Sequence, residues 1–171
     1  FIYIFFGSEN GINSIYNLKI YSHENMLVFG SPIYKIGDFN GDGIKDIGIP
    51  SKYKNNFYIL LGNVLWNGLL QKTINLQDIE SSERLVNIKF NAEANDYCGA
   101  NATEVGNIIG ENYDEIAIRC VKDSLKGILI LKGREVINSI VIQLNRPEYC
   151  VNTSEPGGDD ILVLCPNSNS Y

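Results

Sequence analysis

An all-β chain built from repeats is the expectation, and three observations carry it. Short apolar runs such as Ile33–Gly37, Asp46–Pro50 and Tyr58–Gly62 are bounded by Gly, Asn and Asp, the pattern of strands separated by turns. One acidic stretch, Asp38-Phe39-Asn40-Gly41-Asp42-Gly43-Ile44-Lys45-Asp46, lies between two of these runs and so occupies the tip of a hairpin. Landmarks also recur at a fixed separation. Phe29-Gly30 returns as Cys98-Gly99 and Asp46 returns as Glu115, both at an offset of 69 (98 − 29 and 115 − 46).

Taken in order, the chain opens on an apolar strand, Tyr3-Ile4-Phe5-Phe6-Gly7, an early copy of Tyr58-Ile59-Leu60-Leu61-Gly62. Phe29-Gly30 then enters the first full repeat, which runs through Ile33–Gly37, the acidic loop, Asp46–Pro50 and the exit strand Tyr58–Gly62. Trp66 follows in a connection, where packing over a sheet edge is the plain reading and stacking on a ligand the functional one. Residues 78–84 form a polar connection. The second repeat enters at Cys98-Gly99, passes a loop aligned as Asn107, Ile109, Glu111, Tyr113 and Glu115, and exits through Leu129–Gly133. A third loop aligns as Asn152, Ser154, Pro156, Gly158 and Asp160 before the strand Ile161–Cys165.

The first loop carries the chemistry. Oxygen-bearing side chains at alternate positions of a tight turn suit a hard cation such as Ca²⁺, which takes six to eight oxygen ligands. Asp38, Asn40, Asp42 and Asp46 are the side-chain candidates, and Ile44 would offer its backbone carbonyl. An EF-hand is excluded, because its twelfth position needs a bidentate Glu and Ile49 stands there inside a strand pattern. The second loop has Ile109 where an oxygen belongs and the third has Pro156, so a plain hairpin is expected of one and no metal of the other.

With Phe29-Gly30, Gly37–Asp46 and Tyr58–Gly62 set out, the chain resembles the FG-GAP repeat of integrin α-subunit-type β-propellers. The resemblance implies a β-propeller fragment of four-stranded blades, each calcium loop lying in a blade hairpin. It divides the chain into the tail of a blade (1–21), a blade with an intact loop (22–76), a blade with a degenerate loop (77–144) and the start of a further one (145–171). The absence of an initiating Met fits a piece of a longer propeller, whose remaining blades would be its neighbours. The implied function is non-catalytic recognition or adhesion outside the cell, through a protein or glycan ligand on the propeller face. The alternative is a carbohydrate-binding or accessory propeller of a secreted phospholipase or polysaccharide-active enzyme.

Composition narrows the classes further. A net charge of −6 repels nucleic acid and anionic membrane surfaces, and no apolar run approaches the length of a membrane span. His23 is the only histidine and has no nucleophile pattern around it, so no catalytic residues are expected. Four cysteines without Cys-x-x-Cys spacing argue for disulfides over zinc. Under the repeat alignment Cys120 and Cys165 fall at one place in successive blades, about 10 Å apart and too far to bridge. Two connectivities remain, of which Cys98 with Cys120 and Cys150 with Cys165 is preferred. A simple hairpin register in which residue 106 faces 116 would set Cys120 opposite Ala102, four residues from Cys98. Acceptor sequons at Asn101-Ala102-Thr103 and Asn152-Thr153-Ser154 point with the cysteines to the secretory pathway.

Overall fold

The computed structural model describes residues 1–21, 30–51, 56–62, 71–76, 85–91, 97–122, 125–135, 139–143 and 161–164. Phe29, His23, Trp66, the 78–84 connection, Cys150, Cys165 and the third loop at 152–160 lie outside the described residues.

Among the described residues the chain is all-β. Its strands are β1 (Ile2–Ile4), β2 (Gly7–Ser8), β3 (Gly11–Ile12), β4 (Leu18–Tyr21), β5 (Tyr34–Gly37), β6 (Asp46–Ser51), β7 (Asn56–Leu60), β8 (Lys72–Asn75), β9 (Leu85–Asn91), β10 (Tyr97–Gly106), β11 (Glu115–Lys122), β12 (Leu125–Leu131), β13 (Ser139–Gln143) and β14 (Ile161–Leu164). No helix among them is long and apolar enough to cross a membrane. Beside the small β2-β3 hairpin there are three sheets, ordered β1-β4-β8, β13-β9-β7-β6-β5 and β10-β11-β12-β14.

The sequence repeat reappears as a repeat of pairing. Strands β5, β6 and β7 form an antiparallel meander, as do β10, β11 and β12. Each exit strand then pairs antiparallel with a later strand: β1 with β4, β7 with β9, and β12 with β14. Between those two steps the chain returns to the preceding sheet. Strand β8 joins β4 in parallel, and β13 joins β9 in parallel. The second sheet therefore has five strands where four were expected, its fifth coming from the segment that builds the third. Exposed sheet edges invite aberrant pairing, and this exchange covers the β4 and β9 edges from within the chain.

Alternation along β7 explains how the sheets stack. Phe57 and Ile59 belong to one buried cluster with Ile36, Val86, Ile88, Ile116, Ile118, Leu129 and Leu131, between the second and third sheets. Tyr58 and Leu60 point the other way, into a cluster with Ile2, Leu18, Ile20 and Ile74 of the first sheet. A strand buried on both faces is apolar at every position, as Phe57-Tyr58-Ile59-Leu60 is. The stacking is head-to-tail. Leu129 and Leu131, 71 residues after Tyr58 and Leu60, face the second sheet just as that pair faces the first. Burying a Phe or Leu side chain contributes about 1.5–3 kcal/mol, so these two clusters dominate the stability of the stack.

The disulfide expectation is met for one pair. Cys98 and Cys120 are bonded, with Cα atoms 4.1 Å apart, and they sit directly opposite each other on β10 and β11. The simple hairpin register fails between them. Pairing shifts between Cys98 and Ala102, where four steps on β10 match two on β11, and again between Glu104 and Gly106. A bulge adds length to one strand only. The two shifts together, with Gly106 set against Glu115 rather than Ile116, bring Cys98, rather than Ala102, opposite Cys120.

Candidate metal centre

The acidic loop is a hairpin tip between β5 and β6, as its turn-forming Asn-Gly and Asp-Gly pairs dictate. Its oxygens are organised by the loop's own backbone. The Asp42 N–H donates to Asp38 Oδ1 at 3.0 Å and to Asn40 Oδ1 at 3.3 Å, so two acceptor oxygens converge on one amide. Gly43 N–H donates to Asp38 Oδ2 at 2.7 Å, and Ile44 N–H to Asp42 Oδ1 at 2.8 Å. Asn40 Nδ2 reaches Asp42 Oδ2 at 3.1 Å. Asp38, Asn40 and Asp42 are thereby held together at the tip. Each of these carboxylate or amide oxygens that accepts one N–H keeps a second lone pair for a cation.

Asp46 is placed differently. It is buried at the start of β6, where its Oδ2 accepts from Phe39 N–H at 2.8 Å and its Oδ1 from Gly62 N–H at 2.7 Å. Burial pushes its carboxyl up to about 6 against the pull of those two N–H groups, with the charges of Asp42 and Asp38 adding to the rise. Three carboxylates thus crowd one loop. Lys45, the lysine inside it, turns away to Asp114 at 2.7 Å and Glu104 at 3.4 Å. Among the described residues no three His, Cys, Asp or Glu side chains stand as a ready metal cluster, in keeping with Asp46 facing the backbone. The donor set at the tip, two carboxylates and an amide oxygen beside the Ile44 backbone, still fits a hard cation by its chemistry.

The second loop shares the scaffold and lacks the ligands. Glu115 is buried, and its Oε2 accepts from Ile108 N–H at 2.7 Å and Ile109 N–H at 3.2 Å. Ile108 lies 69 residues after Phe39, the same step that separates Glu115 from Asp46 (108 − 39 and 115 − 46), so an equivalent acid closes both loops. Asn107 Oδ1 accepts from Gly110 N–H at 2.8 Å, as Asp38 accepts in the first loop. Ile109 is exposed at the tip, and Glu111 is paired with Lys132 at 2.7 Å. Charge in this loop is met by a lysine.

The two loops touch. Asp38 N–H donates to Asp114 Oδ2 at 2.7 Å, and Asp114 N–H returns to the Asp38 carbonyl at 2.8 Å. Arg134 N–H donates to the Phe39 carbonyl at 2.9 Å. The Asp38 N–H first, and Lys45 second, hold the Asp114 carboxyl below its usual range. None of these contacts was anticipated, although one signal was present. Lys45 and Asp114 occupy equivalent positions, 69 apart (114 − 45), and carry opposite charges.

Comparison with family models, curated proteins and solved structures finds no match to this chain. The functional reading therefore stands on the residues themselves.

Proposed function

We propose that this chain is part of an extracellular, calcium-stapled β-propeller that presents loops for protein recognition or adhesion and has no chemistry of its own. The observation that carries the reading is the return of one loop scaffold at an offset of 69, closed by a buried acid in both copies. Oxygen side chains fill the tip of the first copy. Head-to-tail stacking supports the propeller, because a contact repeated with one rotation closes into a ring or runs on as a stack. The Cys98–Cys120 bond supports an oxidising compartment, where calcium is about millimolar and weak sites of 10⁻⁴–10⁻³ M fill. Calcium would be held at the tip by Asp38, Asn40, Asp42 and the Ile44 carbonyl, while Asp46, the remaining acid of the loop, fixes its base through the Phe39 and Gly62 amides. The charge of the cation would offset the crowding of the carboxylates and fix the hairpin tip.

Thermal unfolding in millimolar Ca²⁺ and in excess EDTA tests this, with Asp42→Ala as the loop control. Metal at ten times its dissociation constant adds about 1.4 kcal/mol by mass action. The midpoint should rise with calcium in the natural sequence and stay fixed in the variant. A midpoint indifferent to calcium removes the metal from the proposal.

A further inference from the structure

We propose that the cation site of the 38–46 loop is a joint between successive repeats, and that Asp114, from the following repeat, is its positioning residue. The inference rests on the calcium reading above. It goes beyond that reading because a loop of this kind could be self-contained, and this one is not. Asp38 is the first candidate ligand, and its backbone is gripped on both sides by one residue 76 positions away. Its N–H donates to Asp114 Oδ2 and its carbonyl accepts the Asp114 N–H. The next peptide is held as well, by Arg134 N–H on the Phe39 carbonyl. At Gly37 and Gly41 the loop has no side chain to keep the repeats apart. A Cβ on Gly37 would fall 2.5 Å from Asp114 Oδ2, and one on Gly41 would fall 2.8 Å from the Tyr113 ring.

Of the two groups on the Asp114 carboxylate, the backbone N–H is the one that positions the site. The Lys45 pair is half exposed, and such pairs contribute little. The Asp38 N–H is bonded to a charged acceptor, which contributes more and fixes the peptide from which the Asp38 carboxylate projects. Lys45 has a second role: it neutralises Asp114 and so keeps that charge from competing for the cation. Calcium bound in one repeat would therefore be linked to the docking of the next, since each state restrains the same peptide.

Calorimetric titration of the chain with CaCl₂ tests the linkage in three proteins. Asp114→Asn keeps an acceptor oxygen for the Asp38 N–H and ends the ion pair; Asp114→Ala removes both. Binding should be within about threefold of the natural chain for Asp114→Asn and about tenfold weaker for Asp114→Ala, the loss of a hydrogen bond to a charged acceptor. Equal affinity in all three proteins overturns the proposal, as does equal loss in both variants. Hydrogen exchange on the natural chain decides the matter even if Asp114→Ala does not fold. Calcium should slow amide exchange in 110–115, which supplies no ligand, as well as in 38–46. Protection confined to 38–46 would make the site self-contained and refute the joint. No binding and no protection in either segment would be a failure of the calcium reading itself.

Discussion

Gly41 and Gly110 form an internal control for the contact between the two loops. They are equivalent by the offset of 69 (110 − 41) and share a left-handed backbone, with φ of +74° and +90°. Alanine at either position meets the same conformational cost, about 1–2 kcal/mol for an L residue in that region. Their surroundings differ. Around Gly110 an added Cβ meets nothing within 4 Å, whereas at Gly41 it meets the Tyr113 ring at 2.8 Å and the Asn112 carbonyl at 2.9 Å. The carbonyl belongs to the backbone, so relief requires the loops to separate, and overpacking of this kind costs about 1–3 kcal/mol more. Gly110→Ala should therefore destabilise by about 1–2 kcal/mol and Gly41→Ala by about 2–5, a gap of about 2 kcal/mol. Urea unfolding in EDTA reads this difference without any contribution from metal. Equal losses, within about 0.5 kcal/mol, would refute the docking of the first loop on the second.

Three other outcomes follow from the packing and the covalent bond. Phe57→Ala empties a fully buried site between the second and third sheets and should cost about 3–5 kcal/mol in the same urea assay. A loss below 1 kcal/mol would mean the two sheets do not pack there. Reducing the Cys98–Cys120 bond, whose partners are 22 residues apart, should lower stability by about 3 kcal/mol on the chain-entropy model. Most of that loss should persist in EDTA, since Cys98 and Cys120 are neither candidate ligands nor part of the 110–115 segment that docks on the first loop; its disappearance on chelation would contradict it. Glu111→Ala breaks a surface pair with Lys132 and should change stability by less than about 1 kcal/mol, with a larger loss showing that the second loop depends on it.

How much of this was legible in the sequence divides along the range of the interactions. The loop tip is local, so the spacing of Asp38, Asn40 and Asp42 already specified three oxygens gathered around a turn. The meander of β5, β6 and β7 was legible for the same reason, as short connections leave few ways to pair. The return of β8 to β4 was not, because Lys72-Thr73-Ile74-Asn75 carries no mark that separates a parallel partner in one sheet from an antiparallel partner in the next. The bulge between Cys98 and Ala102 was hidden too. The preferred cysteine pairing required it, yet nothing in Gly99-Ala100-Asn101 by itself indicates two extra residues.

Asp46 shows where ligand spacing alone is ambiguous, and the repeat offers a way to resolve it. At alternate positions of an acidic loop, a carboxylate that binds a cation and one that caps the backbone look identical. The second loop separates them, because Ile109 has replaced the oxygen of Asn40 while an acid, Glu115, is kept. An acid retained after the neighbouring oxygen is gone has work that does not depend on the metal. Its buried oxygen receives the Ile108 and Ile109 amides, as Asp46 receives those of Phe39 and Gly62. Left unpaired, the buried Phe39 amide would cost about 1–3 kcal/mol and the partly buried Gly62, Ile108 and Ile109 amides less, which accounts for an acid in both loops whether or not a cation is present. The consequence is specific: in urea unfolding with EDTA present, alanine at Asp38, Asn40 or Asp42 should cost less than alanine at Asp46 or Glu115, and equal losses would refute the distinction.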